Sequence, residues 1–315
     1  MPPAIDGLAD LVEVGRGGFG TVYRARQVDL GRWIAVKVLP DVRPDSEAYG
    51  RFVRECQALA TLGGHPHIAT VHGCGVTGDG SGYLSLELLP GGSLADRVAL
   101  GPTEWAEAAG WGVSLSGALE TAHRAGITHR DIKPENVLFD AYGTPKLLDF
   151  GIAGVPGAFR TTTGAVTLTL AHAAPEVVAG GRSGVSGDVY ALASTVYAAL
   201  ADRPAFAAES DETLIPMLAR IASAPVPDLR PQGVPDPIAA VIERGMAKDP
   251  ADRFTSAEAF GAALRNALVQ SGATAPALLV SDVLAAADPE LSGAAGSATM
   301  TGVEATVAGW EPPQE

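Results

Sequence analysis

In the first ninety residues, β-branched and apolar positions come in short runs at 11–14, 21–26, 33–39, 68–76 and 83–89. Each run has strand length and ends in turn chemistry, such as Asp29-Leu30-Gly31 or the Gly-rich stretch at 78–82, so five strands are predicted. One helix interrupts them. Pro44-Asp45-Ser46-Glu47 supplies its start, and Phe52, Val53, Cys56, Leu59 and Ala60 follow at helical spacing. From Ser93 onward the period becomes 3.6, which predicts helices over 104–125, 187–201, 213–222, 238–247 and 256–269. Between the first two lie residues 127–186, longer than an ordinary connection and so a place for functional loops. Residues 271–315 carry too little apolar surface to offset ordering entropy and read as a flexible, solvated extension, with 277–287 able to form a short helix.

With 315 residues, 47% of them apolar, the chain can hold one large domain or two lobes around a shared site. Lys plus Arg total 22 against 36 Asp plus Glu, a net charge of −14, so no broad nucleic-acid footprint is expected. Six of the acids and none of the bases fall in 271–315. Only four of the basic residues are lysines, at 37, 133, 146 and 248. Cys56 and Cys74 show no metal-like spacing and read as reduced thiols. No leader pattern or membrane span is evident, which suggests a soluble, cytoplasmic protein.

Chemistry gathers in a few motifs. Gly15-Arg16-Gly17-Gly18-Phe19-Gly20-Thr21-Val22 fits G-x-G-x-x-G-x-V, whose glycines let backbone N–H groups approach phosphate. A dinucleotide fingerprint would need a helix at its last glycine, whereas 21–26 reads as a strand. Lys37 ends the apolar run Ile34-Ala35-Val36, where a point charge suits phosphates. Glu55, in the following helix, is the carboxylate available to hold it. His129-Arg130-Asp131-Ile132-Lys133-Pro134-Glu135-Asn136 packs an acid, a lysine and an amide into one loop, and Asp149-Phe150-Gly151 follows on a tight turn. Phosphoryl transfer needs metal ligands, a clamp on the γ-phosphate and a group orienting the attacking hydroxyl.

With Ala174-Pro175-Glu176, Asp188 and Arg253 in the same order, the chain resembles the eukaryotic-type Ser/Thr protein kinases found in bacteria. The resemblance implies an α+β, two-lobed fold: an extension at 1–10, a kinase domain at 11–270 divided near 89/90, and a tail at 271–315. It implies ATP and Mg²⁺, with Mn²⁺ as an alternative metal. Asp131 would orient the substrate hydroxyl, Lys133 would neutralise the transferring phosphoryl, and Asn136 and Asp149 would hold metal. Adenine would lie between Val14, Val22 and Ala35 above and Leu138 below, with Leu86 at the back and Glu87 and Leu89 at the hinge. Leu59, Val71, His129 and Phe150 would form a packing column. Asp188 would accept backbone N–H bonds from the catalytic loop, and Glu176 would pair with Arg253.

Thr161 and Thr163 match activation-segment autophosphorylation sites, with Arg130 as the cation that receives the phosphate. Leu168 and His172 depart from the family's usual Gly and Tyr, and Ala193 replaces a frequent Gly in the long helix. Expected partners are protein substrates, a phosphothreonine-binding protein and a transient second copy for autophosphorylation in trans. A catalytically silent scaffold and a small-molecule phosphotransferase are the alternatives. Intact Lys37, Asp131, Asn136 and Asp149 count against the first, and the Ala174-Pro175-Glu176 segment with Arg253 against the second. Lys146 and Lys248 have no role in this scheme and are expected at the surface.

Overall fold

A computed structural model describes residues 2–17, 20–40, 42–44, 46–150, 170–181, 183–207 and 214–282. Strands β1 (Leu8–Gly17), β2 (Gly20–Gln27), β3 (Arg32–Leu39), β4 (Val71–Val76) and β5 (Gly82–Glu87) form one antiparallel sheet in the order β1-β2-β3-β5-β4. Side chains alternate across a strand. Ile34, Val36 and Val38 therefore pack with Tyr23, Ala25 and Ile5 on one face, while Leu39 joins Phe52, Cys56, Leu84 and Leu86 on the other. Helix α1 (Glu47–Thr61) covers that second face, and Ser46 caps its start by accepting the Tyr49 N–H at 3.1 Å. The strand expected from 68 begins at Val71, because residues 67–69 turn to the large lobe: Ala69 N–H donates to Leu147 O and Leu147 N–H to His67 O. Cys56 and Cys74 are free thiols, as expected, and share one apolar cluster; burial and the neighbouring Cys74 push the Cys56 thiol up.

The large lobe is built on helices. Short α2 (Leu94–Val98) precedes α3 (Trp105–Arg124), and a two-stranded ribbon of β6 (Val137–Phe139) and β7 (Pro145–Leu147) carries the loops of interest. Then come α4 (Pro175–Val178), α5 (Val185–Ala201), α6 (Leu214–Ser223), α7 (Asp236–Gly245) and α8 (Ala257–Gln270). Helix α5 is buried on every side from Gly187 onward, which explains its nearly uninterrupted apolar run. Its Val189, Leu192 and Leu200 sit in the core with Leu115, Leu119, Ile238 and Leu264, each such burial contributing about 1.5–3 kcal/mol.

Residues 273–282 depart from the expected solvated tail. Ala273, Ala275 and Leu278 pack on the core, and Leu279 O accepts from the His65 ring at 3.0 Å. Ala273, Ala275 and Leu278 bury enough apolar surface against the core to seat these ten residues. Two of the four lysines also depart from the surface placement. Lys146 Nζ binds Glu87 Oε1 and Oε2 at 2.9 and 3.0 Å. Lys248 Nζ donates to Ile221 O at 2.7 Å and lies 3.9 Å over the Phe206 ring, and burial lowers its pKa to about 8.

Candidate active site

Register places the upper half of the cleft. Cross-strand partners share a face, so the pairings Val22↔Lys37, Lys37↔Leu84 and Ala35↔Leu86 put Val22, Ala35, Lys37 and Leu86 on the side facing α1 and the cleft. Gly15 and Gly17 end β1, and Gly20 opens β2 with φ +142°. A Cβ at Gly20 would collide with Val38 O, so only glycine lets the loop return this close to β3. Gly18, Phe19 and Gly151 lie outside the described residues. Val14 is 57% exposed and Val22, Ala35 and Leu138 are half-buried, an apolar pair of jaws that a flat aromatic base would fill. Leu86 and Leu89 are buried behind them. Between those two, Glu87 has its carboxylate fixed by the Thr70 N–H at 2.7 Å as well as by Lys146, which ties the sheet to β7 at the hinge.

Below the cleft, one loop carries the polar groups. Lys133 Nζ lies 3.0 Å from Asp131 Oδ2, and Asn136 Nδ2 donates to Asp131 O at 2.7 Å and Oδ2 at 3.0 Å. With its N–H₂ so engaged, the Asn136 amide presents its oxygen elsewhere. Asp149 Oδ2 meets Lys37 Nζ at 2.7 Å, joining the two lobes. Burial would raise the Asp149 carboxyl, but Lys37, with His129 and Lys133 also near, holds it below the usual carboxylate range. Arg130 and Asp149 both adopt left-handed backbone, φ +68° and +61°. Such conformations cost energy and persist where surroundings impose them.

At Arg130 the imposing group is Asp188. Buried in the first turn of α5, its carboxylate accepts the N–H groups of His129 and Arg130 at 2.7 and 2.8 Å and faces His123 Nε2 at 2.8 Å. Sequence reasoning missed His123, since nothing in its position at the end of α3 marks it. Arg253 is also buried and forks onto Glu176 with two 2.8 Å bonds. It donates further to Ala247 O, Lys248 O and Ser186 O, so one guanidinium ties α4 to the entry of α5 and to the loop before α8.

The His129 and Phe150 rings meet in a tilted contact with centroids 4.5 Å apart, and Phe150 lines a small space with Leu59 and Val71. These are the four residues expected to form a column. Burial lowers the His129 pKa, against the charges of Asp188, Asp131 and Asp149. Burial also raises the Glu55 carboxyl, against the charges of Arg130 and Arg51. A cavity of about 160 Å³ separates Glu55 and Ala58 of α1 from Thr128 and Arg130. His172, deeply buried, bonds Ser194 Oγ through Nδ1 at 3.0 Å, and burial, with Lys133 nearby, lowers its pKa to about 3. Thr161 and Thr163 lie outside the described residues.

The donor set suits a hard cation bridging phosphates. Among the described residues no three His, Cys, Asp or Glu side chains form a closed cage. Mg²⁺ needs none, because it is commonly held by one or two protein oxygens plus phosphate and water, and Asp149 and Asn136 offer those oxygens. No helix among the described residues is long and apolar enough to cross a membrane.

Comparison with known proteins agrees with this geometry. A family model described as the protein kinase domain matches residues 8–263. The serine/threonine-protein kinase PknK of Mycobacterium tuberculosis is 44% identical over 267 residues, which is 84% of this chain and 24% of that protein. PknJ of Mycobacterium bovis is 39% identical over 269 residues, covering 83% and 45%. This chain therefore spans about a quarter of the length of PknK. A crystal structure of the Mycobacterium tuberculosis PknI kinase domain matches with a TM-score of 0.64 and 29% identity, over 84% of this chain and 97% of that one. On motif order, fold and these likenesses together, the chain belongs to the protein kinase family, among the bacterial eukaryotic-type Ser/Thr kinases.

Proposed function

We propose that this protein transfers the γ-phosphoryl group of ATP to serine and threonine hydroxyls of other proteins. The observation that carries the reading is the polar cluster in which Asp131 lies within 3.0 Å of both Lys133 and Asn136, facing a cleft whose roof supplies Lys37. Asp131 takes the role of orienting the substrate hydroxyl and accepting its proton. Lys133 balances the charge that spreads over the phosphoryl oxygens. Lys37 holds the α- and β-phosphates; the expected partner Glu55 lies instead near Arg130 and Arg51, while Lys37 meets Asp149. The base sits between Val14, Val22, Ala35 and Leu138 and takes its polar contacts from the backbone of 87–89. Bound Mg²⁺, on Asp149 and Asn136, would neutralise the β- and γ-phosphates.

Protein rather than small-molecule acceptors are favoured by the Glu176–Arg253 fork, which anchors the segment leading to the site. Autophosphorylation at Thr161 and Thr163, with Arg130 receiving the phosphate, rests on the sequence alone. So do a phosphothreonine-binding partner and a transient homodimer. The test incubates the full chain with ATP, Mg²⁺ and an unfolded Ser/Thr/Tyr-containing acceptor protein, followed by phosphoamino-acid analysis. Label on serine and threonine supports the reading; label on tyrosine only, or none, sinks it. Phosphopeptide mapping of active protein that finds Thr161 and Thr163 both unmodified would remove the autophosphorylation sites.

A further inference from the structure

Past α8, residues 273–282 stay on the body. Residues 276–282 run along helix α3 and meet it repeatedly: Pro276 against Gly110, Leu279 against Gly117, the Ser281 N–H on Thr121 Oγ1 at 3.0 Å and Asp282 on Arg124 at 2.9 Å. Gly110, Gly117, Thr121 and Arg124 are separated by seven, four and three residues and so form one stripe on α3. The lengths agree. Six steps of extended chain cover about 20 Å, and the fourteen from Gly110 to Arg124 along a helix cover about 21 Å. The seat is cut to the occupant: a Cβ on Gly117 would overlap the Leu279 carbonyl, and one on Gly261 would press on Leu278 Cδ1 at 2.8 Å.

Its far contact is in the small lobe. Leu279 O accepts from Nε2 of buried His65, whose Nδ1 in turn accepts the His67 N–H at 3.1 Å. His65 stands four residues after Thr61, the last residue of α1, in a loop whose turns are continuous with that helix: Leu62 N–H bonds Leu59 O and His65 N–H bonds Leu62 O. Because a cavity lies under Glu55 and Ala58, the middle of α1 is not packed onto the catalytic loop there. Its position is then set by the seat of Phe52 and Cys56 on the sheet and by what its ends are tied to.

We infer that residues 273–282 are a strap that ties the loop after α1 to helix α3 and so positions Glu55 over the site. The kinetic consequence rests on the kinase reading; the mechanical one does not. Seated, the strap holds α1 at its C-terminal end. Released, it takes one polar tie from that end, which keeps the core packing of Leu59 and Leu62 and the His67 and Ala69 bonds to β7 and its flank, and α1 gains freedom to shift.

The test uses the full chain with Gly117→Ala, Ser281→Pro and Thr121→Ser. Gly117→Ala should favour an isolated helix yet here evicts Leu279. Ser281→Pro removes the N–H given to Thr121 from an exposed position that cannot unfold the body. Thr121→Ser keeps the acceptor. Hydrogen exchange is followed in peptides covering 62–70 and 273–282, with kcat and KM for ATP. Both release variants should raise exchange in both peptides by roughly tenfold or more and lower kcat by roughly threefold or more, with KM changed less than kcat and Thr121→Ser behaving as wild type. Exchange that rises in 273–282 alone, with 62–70 and kcat unmoved, overturns the inference, as does a strap that neither variant releases. If the wild-type chain transfers no phosphoryl group, the kinase reading fails, and the exchange of 62–70 still decides whether the strap holds the loop.

Discussion

Lys37 on β3 and Asp149 after β7 meet at 2.7 Å, so one ion pair closes the cleft between a strand of the small lobe and a loop of the large one. Removing the cation leaves the burial of Asp149 unopposed at short range. Lys37→Met should raise the Asp149 carboxyl from its depressed position and lower kcat by about 100-fold or more, because an ammonium aimed at phosphate in a sheltered site is worth several kcal/mol. Steady-state kinetics with ATP check this; turnover within threefold of wild type would remove Lys37 from the mechanism.

Arg253 is 1% exposed and spends its donors on Glu176 and three carbonyls. Glu176→Gln leaves that guanidinium buried without its counter-charge and should cost about 3–5 kcal/mol. Arg253→Lys should also destabilise, since one ammonium cannot reproduce the planar fork. Urea unfolding at neutral pH measures both; a loss below about 1 kcal/mol for Glu176→Gln would mean that the pair carries little.

Asp188 acts on the site only through backbone. Asp188→Asn replaces one acceptor oxygen by an N–H₂ that cannot receive the N–H groups of both His129 and Arg130, so the left-handed turn at Arg130 loses its support. The expected result is a kcat lower by about 10–100-fold with KM for ATP nearly unchanged. A parallel fall in kcat and rise in KM, with early melting, would indicate general unfolding instead.

His172 is neutral when folded, with a pKa of about 3 against 6.5 when unfolded. Between these values the unfolded chain binds a proton that the folded chain refuses, so stability rises with pH and is lost on acidification below about pH 6.5. This residue contributes a slope of about 1.4 kcal/mol per pH unit in that window. His172→Gln, which can still bond Ser194, should flatten the pH dependence of unfolding between pH 4.5 and 6.5. An unchanged slope would show that His172 titrates in the fold.

Much of this was legible in the sequence, for identifiable reasons. The α5 core run, the five strand runs and the Ser46 cap are local signals, and local signals survive folding. The residues of the catalytic loop are contiguous, so spacing alone brings Asp131, Lys133 and Asn136 together. What escaped depends on distant parts of the chain. His123 reaches Asp188 across 65 positions and Lys146 reaches Glu87 across 59, neither with a periodic mark. Residues 273–282 look like linker because their seat is built of glycines on α3 and α8, and a glycine in a helix pattern reads as a weakness until something is seen lying against it.

The central claim is most directly tested by following label from γ-³²P-ATP into protein with wild type and with Asp131→Asn at matched folded concentration. The account predicts Mg²⁺-dependent incorporation on serine and threonine for wild type and a rate lower by about 1,000-fold for the variant, as expected when the group orienting the hydroxyl is lost. Equal incorporation by the two proteins, or none by either, would contradict it.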